Sequence, residues 1–252
     1  MRLLNETVRA HMSARERALR GPGLAIQSVP QSSNHALHAA SPASVTAPPL
    51  SALGLACERG SRRLFSDLAF ELHAGEMLWV RGRNGRGKTS LLRLVAGLGS
   101  AARGQLLFDG AARPAQRRVV YIGHANALKE DASVLESLAF LLRIHGGRDD
   151  AAALSAALAH WGLLAQQHAL VRTLSQGQRR RVALARLVVE RQPAFWALDE
   201  PFDALDANGI DCLNDLLGAH LQRGGSVLIT GHQGALADRL PRRELDLDDC
   251  AI

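Results

Sequence analysis

From Ser51 onward the chain alternates short apolar runs with amphipathic stretches. Leu53–Cys57 and Leu64–Leu72 read as strands, and Glu76–Val80 is a short apolar strand. Thr89–Leu98 follows as a helix whose Leu91, Leu92, Leu94 and Val95 share one face. Gln105–Phe108 and Arg118–Ile122 are strand-like, and Ser133 to about Arg172 is predicted helical, with Leu135, Leu138, Ala139 and Leu142 at helical spacing. Gln176–Glu190 is another helix. Ala194–Leu198 and Ser226–Thr230 are buried-type strands with a helix over Ala207–Leu221 between them. Strands alternating with helices predict an α/β fold, a mostly parallel sheet with helices on its faces. There is no internal repeat.

Residues 1–50 follow a different pattern. They contain no Phe, Trp or Tyr and hold five of the nine prolines. Gln27–Pro49 is rich in Ser, Ala, His and Pro and cannot bury enough apolar surface to offset the entropy of ordering, so residues 1–50 are expected to be a disordered extension. Met1–Arg20 could form a short Arg-rich helix. Glu6 and Glu16 weigh against a targeting peptide there. The folded domain is expected over 51–252.

Composition narrows the class. A chain of 252 residues, 47% hydrophobic and 21% charged, suits one globular domain with a substantial core. Cys57, Cys212 and Cys250 are odd in number and widely spaced, which speaks for reduced thiols rather than a disulfide framework or zinc site. No apolar run reaches about 18 residues, so membrane association would go through a partner. The net charge is +6, but residues 1–50, with five arginines against two acids, carry half of it, and no basic stripe with interleaved aromatics follows. Nucleic acid is therefore not expected as a partner.

Two segments carry chemistry. Gly82-Arg-Asn-Gly-Arg-Gly-Lys-Thr89 matches G-x-x-x-x-G-K-[ST], the phosphate-binding P-loop, between a strand and a helix. Lys88 is one of only two lysines in a chain that otherwise uses arginine. A compact ammonium reaches between β- and γ-phosphates where a planar guanidinium does not fit. Gly82, Gly85 and Gly87 let successive N–H groups turn inward at an anion, the helix adds its positive end, and the Thr89 hydroxyl suits Mg²⁺. Asn84 and Ser90 complete the cradle. Arg83 and Arg86 either help hold the polyphosphate or are solvated. The second segment, Ala194-Phe-Trp-Ala-Leu-Asp-Glu200, is a buried strand ending in acids. Asp199 suits Mg²⁺, directly or through water, and Glu200 suits polarising an attacking water.

A third segment, Leu174-Ser-Gln-Gly-Gln178 followed by Arg-Arg-Arg-Val-Ala-Leu-Ala-Arg186, resembles the LSGGQ signature of the ATP-binding cassette (ABC) family, with Gln176 for the middle glycine. The resemblance runs in order through Ser51–Leu247. Pro201-Phe-Asp-Ala-Leu-Asp206 resembles the D-loop, with Asp203 where many members have Ser. His232 resembles the switch histidine that contacts the γ-phosphate, after Gly231 rather than the usual threonine. Two positions depart from the pattern. The Q-loop position holds His124 rather than Gln, and the position that stacks an aromatic on adenine holds Arg59, which can stack as a guanidinium; Phe65 reads as core. The resemblance implies a P-loop NTPase with a RecA-like core, an antiparallel β subdomain and a helical subdomain over about 125–190. It also implies ATP and Mg²⁺, with Ser175, Gly177 and Gln178 facing the nucleotide of a second copy, Lys88, Glu200 and His232 as catalytic residues, and a homodimer.

Within the family, Tyr121-Ile-Gly-His124, the Arg-rich signature helix and Trp196-Ala-Leu-Asp-Glu-Pro-Phe-Asp-Ala-Leu-Asp206 are similar to the haem-exporter-type branch of cytochrome c maturation. That likeness implies a peripheral subunit on the cytoplasmic face of a bacterial inner membrane, docked on an integral permease subunit through about Ala125–His145. A cassette serving another substrate, or a non-transport ABC ATPase acting on ribosomes or DNA, are the alternatives.

Overall fold

The computed structural model describes residues 49–112, 119–144, 150–189, 195–231 and 234–250. The N-terminal extension expected over 1–50 lies outside the described residues except at its last two positions, and His232 lies outside them too. The elements are β1 (Leu50–Arg59), β2 (Arg62–Leu72), β3 (Met77–Arg81), α1 (Lys88–Val95), β4 (Arg103–Leu107), β5 (Val119–Ile122), α2 (Val134–Ile144), α3 (Ala151–His160), α4 (Gln176–Val189), β6 (Phe195–Leu198), α5 (Ala207–Gln222), β7 (Ser226–Thr230) and β8 (Arg243–Asp246).

They build two sheets. β2, β1 and β4 form an antiparallel sheet in that order, and β5, β6, β7, β3 and β8 form an all-parallel one. The inner strands β3, β6 and β7 are largely apolar because both their faces are covered, whereas β8 at the edge is polar and partly exposed. Met77, Trp79, Trp196, Leu198, Val227 and Ile229 face α2–α5, whereas Leu78, Val80, Phe195, Ala197 and Leu228 face α1 and the antiparallel sheet. The alternation along each strand thus divides the core into two clusters on opposite faces. Phe65 is fully buried in the second, as expected.

Four sequence expectations are corrected. β1 starts at Leu50, which is buried and pairs with Leu72, so the boundary before Ser51 cuts a strand. α1 ends at Val95 rather than Leu98. Gly97 takes φ 75°, with Gly97 N–H on Leu94 O and Leu98 N–H on Arg93 O, a Schellman stop. The helix expected over Ser133–Arg172 is α2 and α3 followed by single 3₁₀ turns at Leu164–Gln166 and Val171–Thr173; Gly162 at φ 68° ends α3. β8 was missing from the expected strands, because Arg243-Glu-Leu-Asp246 is an edge strand with no apolar run.

The helix starts are encoded locally. Ser133 and Glu136 form a reciprocal capping box at α2, and the Asp206 carboxylate accepts the Gly209 N–H at α5. Cys57, Cys212 and Cys250 are free thiols. No described helix is long and apolar enough to cross a membrane.

Candidate active site

The loop from Gly82 to Gly87 joins the C-terminal end of β3 to α1, the edge where ligands bind in open parallel sheets. Gly87 is the N-cap of α1 at φ 101°. A Cβ there would come within 3.0 Å of Leu64 Cβ and 3.1 Å of the Phe65 ring, so the turn requires glycine twice over, for its backbone angle and for its approach to β2. Lys88 bends back over the loop and donates to Gly82 O at 2.6 Å and Arg83 O at 3.3 Å. An ammonium has three donors, so this geometry keeps one for a ligand.

Arg86 departs from the sequence reading. Its side chain is neither solvated nor turned to the loop's concave side. It is 12% exposed, pairs with Asp248 Oδ1 at 2.9 Å, and donates to the carbonyls of Leu247, Asp248 and Cys250. Asp248 Oδ2 also accepts the Arg83 N–H at 2.9 Å, so this one carboxylate ties both ends of the loop's first turn to the segment after β8. The Arg83 side chain itself is 87% exposed.

Two cavities open on the loop. One of about 650 Å³ is lined by Trp79, Arg83, Asn84, Lys88, Glu200 and Gly231, among others. One of about 210 Å³ is lined by Arg59, Asn84, Gly85, Gly87, Thr89 and Ser90, and also by Lys88 and Glu200. Asn84, Lys88 and Glu200 therefore belong to both, and Arg59, at the end of β1, sits on the wall of the smaller one. Trp79 Nε1 donates to Gly231 O at 3.3 Å, holding the backbone that leads to His232.

Beyond β6 the acids divide their roles. Asp199 is buried; its Oδ1 accepts the Thr230 hydroxyl at 2.8 Å, while Oδ2 is buried without a hydrogen-bond partner among the described residues. A lone buried carboxylate oxygen is costly, and a cation or its water would satisfy it. Burial, followed by the Asp199 charge, pushes the neighbouring Tyr121 phenol up, so it stays protonated. Glu200 lies at φ 47°, a left-handed angle that costs a non-glycine residue on the order of 1 kcal/mol. Its N–H donates to Thr230 Oγ1 at 2.9 Å. His124 approaches from the segment after β5. Its Nδ1 is 3.8 Å from Asp203 Oδ2, and ligand atoms of His124, Glu200 and Asp203 lie within 4.8 Å of one another.

The signature segment lies elsewhere. Ser175 caps α4: its Oγ accepts the Gln178 N–H at 3.2 Å, and Gln178 Oε1 accepts the Ser175 N–H at 2.9 Å. The Gln178 side-chain oxygen is thus committed within its own chain. A Cβ on Gly177 would lie 2.7 Å from Ala204 O, so α4 and the turn after Glu200 meet where only glycine fits. Ser175, Gly177 and Gln178 line neither cavity around Lys88.

Sequence reasoning passed over Thr230, Asp248 and Arg180. Thr230 ends a strand that was recognised, and a hydroxyl at the ligand-binding edge of a buried strand was the available signal. Arg180 hides in a run of three arginines, but its spacing to Ala183, Leu184 and Leu187 sets it on the buried face of α4. Asp248 gave no signal.

Comparisons with known proteins bear on the family and the fold. A family model described as ABC transporter matches residues 65–203. The cytochrome c biogenesis ATP-binding export protein of Albidiferax ferrireducens is 44% identical over 80% of this chain and 98% of its own length. The protein of the same name from Xanthomonas campestris is 46% identical over 82% and 97%. A dimeric ATP-binding cassette solved with ADP and Pi superposes with a TM-score of 0.68 at 19% identity, covering 78% of this chain and 93% of that one.

Proposed function

This chain belongs to the ABC transporter family as an ATP-hydrolysing cassette, and from that premise we propose that it drives an integral membrane partner in haem export for c-type cytochrome biogenesis. The observation that carries the proposal is the likeness of more than 40% identity over nearly the whole length of relatives named cytochrome c biogenesis ATP-binding export proteins.

The site residues divide the work as follows. The N–H groups of the loop and the N-terminus of α1 hold the β- and γ-phosphates, and Lys88 turns its remaining donor to them. The Arg59 guanidinium lies across the adenine. Mg²⁺ fits the donor set: Thr89 lines the smaller cavity, and Asp199 Oδ2 is a carboxylate oxygen without a hydrogen-bond partner among the described residues. When bound, the ion neutralises charge on the phosphates. Glu200 accepts a proton from the attacking water and aligns it, and His232 contacts the γ-phosphate. Ser175 and Gly177, which line neither cavity at their own chain's loop, complete the site of a second copy. The solved relative cassette is dimeric, which supports that reading. The cassette pair docks at the cytoplasmic face of the inner membrane through the segment after His124.

The test is genetic. In a bacterium lacking its own version of this subunit, the wild-type chain restores haem-stained c-type cytochromes and the Lys88→Ala chain does not. Failure of the wild type, or rescue by Lys88→Ala, contradicts the proposal.

A further inference from the structure

Arg180 has no part in the roles above, yet its whole hydrogen-bonding capacity is spent around Glu200. The residue is 3% exposed. Nε donates to Pro201 O at 3.2 Å, Nη1 to Gly123 O at 2.8 Å and Asn126 Oδ1 at 3.1 Å, and Nη2 to Asp199 O at 2.9 Å and Glu200 O at 2.7 Å. A guanidinium has five N–H bonds, and here each has its own acceptor. Burial pushes the Arg180 guanidinium below its ordinary value, and the carboxylates of Asp203, Asp199 and Glu200 offset part of that cost.

The effect on Glu200 is specific. Its φ of 47° would relax if the backbone were free. Thr230 holds the peptide on its N-terminal side through the Glu200 N–H, and Arg180 holds the peptide on its C-terminal side through the Glu200 carbonyl. The left-handed conformation is therefore fixed from both sides, as strained active-site residues must be. The same guanidinium grips the carbonyl next to His124 and the side chain of Asn126, and its backbone belongs to the second turn of α4, just after the Ser175 cap.

We propose that Arg180 is a positioning residue for hydrolysis, which locks Glu200 in place and makes that lock depend on the Gly123–Asn126 segment and on the start of α4. This rests on the reading of Glu200 as the group that polarises water. Movement of either segment then changes turnover without touching the phosphate-binding loop. Lysine, with three donors and no planar fork, cannot reproduce the five bonds.

The test uses the full-length chain, with kcat and KM for ATP measured for the wild type, Arg180→Lys, Asn126→Ala, Glu200→Gln and the double variant Arg180→Lys/Glu200→Gln. Arg180→Lys should lower kcat about a hundredfold, the loss expected when a reacting group moves by about 1 Å, with KM within about twofold. Asn126→Ala, which removes one acceptor, should lower kcat about threefold at unchanged KM. The double variant should be no slower than Glu200→Gln alone, because a positioning residue has nothing left to position. Equal losses in kcat and ATP affinity, or losses that multiply in the double variant, overturn the proposal and make Arg180 a general structural residue. If Arg180→Lys does not fold, Asn126→Ala decides: an unchanged kcat refutes the link. Near-normal turnover of Glu200→Gln would instead sink the reading of Glu200 itself.

Discussion

The Thr230 hydroxyl donates to Asp199 Oδ1 at 2.8 Å and, through the same oxygen, accepts the Glu200 N–H at 2.9 Å. One side chain on β7 thus orients two consecutive acids at the end of β6. Thr230→Val keeps the shape and removes both bonds. It should cost about 1–3 kcal/mol of stability, the penalty for unsatisfied buried groups, and lower turnover at least about tenfold while raising the Mg²⁺ concentration needed. Unchanged Mg²⁺ dependence in a steady-state titration would show that the hydroxyl does not set the carboxylate.

Lys88→Ala removes the ammonium that bends back over the loop and keeps one donor for a ligand. Phosphate release should fall about 10²–10³-fold, the usual effect of deleting one preorganised group at developing charge. Near-normal turnover would refute the phosphate-binding assignment.

Arg59→Ala separates base from phosphate. ATP affinity should fall about threefold, in keeping with loss of an exposed stacking contact, while affinity for inorganic triphosphate stays the same. Equal losses for the two ligands, by competition against a fluorescent nucleotide, would argue that Arg59 contacts phosphate instead.

Asp206 and Glu136 connect the helix caps to pH. The Arg181 hydrogen bond and then the Gly209 N–H hold Asp206 below the usual carboxylate range, and the Ser133 N–H and then its hydroxyl do the same for Glu136. A depressed carboxylate stabilises the fold above its unfolded value and loses that contribution as pH falls through its folded value. Melting temperature should be flat above about pH 5 and decline in acid. Asp206→Asn keeps a capping oxygen but not the charge. It should melt a few degrees lower at neutral pH, roughly, with a smaller acid decline. An identical acid decline would contradict the assignment.

The parts of the fold that were legible in the sequence are those where burial is strongest. β3, β6 and β7 are covered on both faces and read as uninterrupted apolar runs, and the loop glycines and Lys88 sit where their chemistry demands. β8 was not legible because an edge strand reading Arg-Glu-Leu-Asp satisfies half of its backbone at β3 and leaves no apolar pattern. The break after α3 was hidden because Leu163 and Leu164 continue the apolar spacing past Gly162. Arg86 was misread because its partners, Leu247–Cys250, are distant in sequence, and no local rule ties a loop arginine to the segment after β8.

A site shared between two copies requires that they close around ATP. Glu200→Gln keeps every phosphate contact and removes the charge that polarises water, so it should bind ATP, turn over slowly and elute as a dimer on size exclusion with ATP but as a monomer without it. A Glu200→Gln chain that binds ATP yet remains monomeric would contradict a site shared between Lys88 of one copy and Ser175 of the other.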